Sequence, residues 1–180
     1  MVKKDFLSHL LVAGLYALVV TLLGRHFQPE FLLFWFGTMM GAVLLYFDPL
    51  VSAYLTSQTT PLYQEIKELV RQRKFGKLLV KELPSHHEEE SSILHSALFQ
   101  VTLTILAFYI VTSSGSLLAS GLVMGMVLHL VRDEVEEWKE TEKLKRQLFW
   151  NIHRPISDKE LKIYLSVVLA AFGLEAILLL

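Results

Sequence analysis

The stretch GLVMGMVLHLVRDEVEEW, residues 121–138, decides how the rest of the chain is read. It begins apolar and glycine-spaced, carries His129, and passes without a break into Arg132, Asp133, Glu134, Glu136 and Glu137. On a helix, His129 and Asp133 share one face about one turn apart. A histidine and a carboxylate so placed, at the edge of an apolar segment, can hold a metal ion or bond each other. What the other segments bring to the same depth decides between the two.

Outward from this stretch, the 180 residues are 53% hydrophobic with a mean hydropathy of +0.44, and the apolar residues are concentrated in long blocks. That distribution reads as a membrane protein, not as a soluble domain with periodic apolar positions. A net charge of −1 makes no electrostatic case for a nucleic-acid partner. The absence of cysteine excludes disulfides and thiolate metal sites. Residues 1–24 start basic and turn apolar, as a signal peptide does. The run is long, however, and no small-residue cleavage site precedes Arg25, so a retained helix is expected.

A bilayer core of about 30 Å takes roughly 20 apolar residues as a helix. Runs at 6–24, 31–47, 93–112, 117–131 and 161–180 meet or approach this. Residues 61–82 differ: Leu62, Ile66, Leu69 and Val70 recur at helical spacing among Lys67, Arg71, Arg73, Lys74, Lys77 and Lys81. That pattern predicts an amphipathic helix on an anionic membrane surface. Residues 132–149 read as a charged helical extension of the fourth span, and Asp158 as an N-cap for the fifth. The expected fold class is therefore all-α, a single polytopic membrane bundle of about five transmembrane helices plus one surface helix. Of the 17 Lys and Arg, all but Arg25 fall on the side of the N-terminus. The positive-inside rule places that side in the cytoplasm of a bacterial or archaeal inner membrane.

This topology brings His9, Asp48, His95, His129 and Asp133 to one membrane depth, near the cytoplasmic face. Each has a structural reading when taken singly: His9 bonds headgroups, Asp48-Pro49 ends a helix, His95 caps one, Asp133 pairs with Arg132. Ionisable groups at membrane depth are costly and face the bundle interior, and five of them at one level favour a common site. Imidazole and carboxylate suit zinc, or manganese with more oxygens. A divalent metal there would acidify a water for nucleophilic attack. Glu134, Glu136 and Glu137 read mostly as a solvated face, while Glu175 lies deep in the last span.

The elements SHLLVAG with His9, LLYFDPL with Asp48, SSILHSALF with His95, HLVRD with His129 and Asp133, and the later LFWNIHRPISDKEL occur in one order along nearly the whole chain. In that order they resemble the YdjM family of bacterial and archaeal inner-membrane proteins, often labelled metal-dependent hydrolases. Two elements depart from the family pattern. Leu45-Tyr46-Phe47 precedes Asp48 in place of a Pro-Asp pair, and Glu90-Ser91 stands where the family has His-Arg. The resemblance implies phosphoester hydrolysis by a zinc-type centre at the cytoplasmic membrane surface, with a membrane lipid as substrate. His9, Asp48, His95, His129 and Asp133 would be its ligands, and Glu90 or Glu137 an auxiliary ligand or base. The second reading is a catalytically degenerate scaffold or accessory subunit that docks a protein partner through its cytoplasmic helices.

Overall fold

In a computed structural model, which describes residues 2–48, 51, 68, 71–72 and 92–180, every regular element is helical. The helices are α1 (Val2–Leu23), α2 (Leu32–Leu44), α3 (Ala97–Ser113), α4 (Leu117–Glu136), α5 (Thr141–Leu148) and α6 (Asp158–Leu178). Short 3-10 turns at Pro29–Phe31 and Leu45–Phe47 flank α2, and a third at Glu137–Lys139 follows α4. Apart from Glu68, Arg71 and Gln72, the expected surface helix at 61–82 lies outside the described residues, as does Glu90.

Beside its apolar core, this bundle buries several polar side chains and exposes many large apolar ones. His9, Thr38, Gln100, His129 and Glu175 are buried, while Leu7, Leu11, Leu15, Leu22, Ile163, Val167 and Ile177 are exposed. A helix that shows leucine outward and keeps histidine inward is built for a surrounding as apolar as leucine itself. Phe6–Leu23, Pro29–Phe47 and Asp158–Leu178 are long and apolar enough to cross a membrane. Against the expectation of about five spans, three such helices are found among the described residues. Ala97–Ser113 is apolar but has only 17 residues. The last turns of α4 carry Arg132, Asp133, Glu134 and Glu136.

Three boundaries differ from the sequence reading, each for a local reason. The third helix begins at Ala97 and not at 93, because the Ser96 hydroxyl accepts from the Phe99 amide and caps it there. The cap of α6 is Ser157, not Asp158: its Oγ accepts from the Glu160 amide while Glu160 Oε2 accepts from the Ser157 amide at 2.9 Å, a capping box. The charged extension is not continuous with α4, since the chain turns through Glu137–Lys139 and restarts as α5. That turn lets Leu144 and Leu148 pack against Leu161 and Leu165 of α6 and against Ala97.

The closest pair of helices is α2 with α4. A Cβ added at Gly41 or Gly125 would meet backbone of the facing helix well under 3.0 Å, at Leu122 and Thr38 respectively, and Gly37 and Gly121 are equally tight. Two G-x-x-x-G rows therefore face each other, and backbone packs directly on backbone. This contact sets the distance between the segments that carry Ala42 and His129.

Candidate metal centre

Three imidazoles converge on one carboxylate. His9 sits on the inner face of α1, in line with the buried small residues Ala13 and Ala17, and its Nε2 lies 2.7 Å from Asp133 Oδ1. His129, one turn before Asp133 on α4, has its Nε2 3.2 Å from Asp133 Oδ2. His95, in the turn that precedes α3, brings its Nε2 to 3.4 Å from the same oxygen. The His9 and His129 rings stack with centroids 4.1 Å apart, and Tyr46 packs edge-on against both.

The outer nitrogens of these rings are engaged as well. His129 Nδ1 is 2.7 Å from the Ala42 carbonyl oxygen, and His95 Nδ1 is 2.6 Å from Asp48 Oδ2. Both partners are pure acceptors, so each Nδ1 carries a proton, and each Nε2 is turned inward toward Asp133. Ala42 stands one turn before α2 tightens into the 3-10 turn at Leu45–Phe47, and the close α2–α4 contact brings its carbonyl within reach of His129. At His9, Tyr46 Oη lies 2.7 Å from Nδ1 and Arg132 Nη1 lies 2.6 Å from it. Arg132 Nη2 donates to Ser8 Oγ at 2.7 Å and to Glu136 Oε1 at 2.5 Å.

Both aspartates are charged at neutral pH. Burial acts to raise the Asp133 carboxyl, but hydrogen bonds from His129, His9 and His95 hold it well below the ordinary range. Burial also acts to raise Asp48, yet the bond and charge of His95, with Ser92 Oγ and the Leu94 amide, bring it down to about 2.

His9, His129 and Asp133 each offer a ligand atom, all within 4.8 Å of one another. A tetrahedral ion about 2.1 Å from each donor sets the donors about 3.4 Å apart. The separations of 2.7, 3.2 and 3.4 Å around Asp133 rise to that value at their upper end. The residues present thus fit a small divalent cation by donor type, charge and spacing.

Of the five expected ligands, His9, His95, His129 and Asp133 come together directly, while Asp48 lies against the far nitrogen of His95. Glu137, expected as an auxiliary ligand or base on a mostly solvated face, is buried with Lys143 Nζ 3.1 Å from its carboxylate. Glu134, read in the same way, is buried beside Gln100, and burial pushes its carboxyl up to about 8. The sequence reading assigned no site role to Tyr46 or Ser92 and gave Arg132 only a pairing with Asp133. Their signals were slight: Tyr46 lies two residues before Asp48, Ser92 three before His95, and Arg132 next to Asp133.

Comparison with protein-family models, curated proteins and solved structures finds no match for this chain.

Proposed function

We propose that this protein is a membrane-bound, divalent-metal-dependent hydrolase of a phosphoester, with a membrane phospholipid as the substrate class and zinc as the first-choice ion. The observation that carries the reading is the buried convergence of His9, His129 and Asp133, joined by His95. Buried histidine and carboxylate side chains from three separate segments are costly to assemble in an apolar bundle, and shared ligation of a cation offsets that cost. When bound, such an ion supplies Lewis acidity and a more acidic water. Arg132 supports an anionic substrate: its guanidinium lies at the edge of His9 and 3.7 Å from Asp133 Oδ1, where it can meet phosphate oxygens. The order of motifs shared with the YdjM family supports the same class. The Lys and Arg asymmetry supports a cytoplasmic site in an inner membrane, with the N-terminus on that face.

The direct test is elemental mass spectrometry of the detergent-purified protein beside a His129→Ala/Asp133→Ala double variant. Roughly one zinc or manganese per chain, lost in the double variant, is the expected result. A variant that keeps the wild-type metal content would refute the site. Metal-free wild-type protein that co-purifies with another protein would favour the scaffold reading instead.

A further inference from the structure

Asp48 differs from the other acidic member of the cluster in where its oxygens go. Oδ2 faces His95 Nδ1 at 2.6 Å and also accepts from Ser92 Oγ, while Oδ1 accepts from the Leu94 amide at 3.0 Å. All three partners belong to the turn that precedes α3, so the carboxylate is wrapped by that turn. Asp133 meets the same imidazole at its other nitrogen, Nε2. The two aspartates therefore approach His95 from opposite edges of the ring, with Asp133 on the side of His9 and His129.

We propose that Asp48 is a positioning residue and not a metal ligand: it fixes the proton of His95 on Nδ1 and aims Nε2 at the ion held by His9, His129 and Asp133. The donor set is then three imidazoles and one carboxylate, with any remaining coordination positions open to water or substrate. An outer carboxylate on a ligating histidine orients the ring and raises its basicity. The bond from Trp150 Nε1 to the Ser92 carbonyl at 3.0 Å extends this support outward, tying the turn to the segment that follows α5. The inference rests on the metal-dependent reading above.

The test uses the full chain in detergent, stripped of metal and titrated with cobalt(II), followed by visible absorption and by competition with a chelator. Asp48→Asn should take up cobalt to the wild-type stoichiometry with bands of the same intensity, but bind it about 10- to 100-fold more weakly. Asp133→Asn should lose the bands. Loss of the bands in Asp48→Asn to the same extent, with wild-type helical content and elution volume, would show Asp48 to be a ligand and overturn the proposal. Should Asp48→Asn not fold, Ser92→Ala carries the test. Weaker cobalt binding with unchanged bands supports positioning, and wild-type affinity overturns it. Wild-type protein that binds no cobalt removes the metal-dependent reading and this inference with it.

Discussion

Replacing Gly125 with alanine adds one methyl group at the point where α4 lies on α2. The new carbon would sit 2.9 Å from both the Cα and the carbonyl carbon of Thr38, and closer still to its oxygen. Carbon atoms pack at about 3.5 Å or more, so the helices must part by roughly 0.6–1 Å. A gap of that size forfeits about a quarter to a half of the dispersion energy along the seam. Overpacking of this kind costs about 1–3 kcal/mol. The same displacement carries the 2.7 Å bond between His129 Nδ1 and the Ala42 carbonyl to about 3.5 Å, outside good hydrogen-bond geometry. Loss of such an outer contact weakens metal binding by about 10- to 100-fold. The control is Gly173→Ala on α6, where an added Cβ meets nothing within 4 Å. There the exchange gains helix propensity of about 0.5–1 kcal/mol. Thermal unfolding in detergent, read by circular dichroism, should therefore move in opposite directions for two chemically identical substitutions. If Gly125→Ala unfolds no earlier than Gly173→Ala, the backbone-on-backbone account of the α2–α4 contact is wrong.

Three further outcomes follow from the same geometry. Glu134→Gln should stabilise the protein relative to wild type, by an amount that depends on pH. The folded-state carboxyl is raised from 4.5 to about 8, so the cost of burying it is absent at low pH, grows through that interval and is constant above it. Equal differences in unfolding midpoint at pH 5 and pH 8.5 would contradict the buried placement of this side chain. Metal uptake should weaken as pH falls, because protons compete for the imidazole nitrogens. A chelator competition series should show more than one proton displaced per ion, and a pH-independent affinity would rule out histidine ligation. Ser157→Ala removes a capping box in which both hydrogen bonds are present, and should lower stability by about 1 kcal/mol without changing metal content. An unchanged unfolding midpoint would show that the start of α6 draws its stability from packing alone.

What could be read from the sequence was whatever periodicity along a single segment controls. His129 and Asp133 are on one face because a helix puts them there, and the apolar blocks at 6–24, 31–47 and 161–180 correspond to the three helices long enough to span among the described residues. What could not be read depends on the meeting of segments. Glu134 and Glu137 stand in a charged run that reads as solvated, yet the bundle buries both. The break after Glu136 has neither proline nor glycine to announce it; it is the route by which Leu144 and Leu148 reach α6. Asp48 looked equivalent to Asp133 as a carboxylate at the right depth. Only the turn at Ser92–His95, which has no repeat to reveal it, separates their surroundings.

The bond between Asp48 and His95 joins residues 47 positions apart, so it acts as a clasp that closes the chain on itself. The entropy of closing a loop grows only logarithmically with its length, so doubling the enclosed chain costs about 0.6 kcal/mol. Insertions, deletions or wholesale exchange of the chain between these two residues therefore cost the closure at the clasp very little.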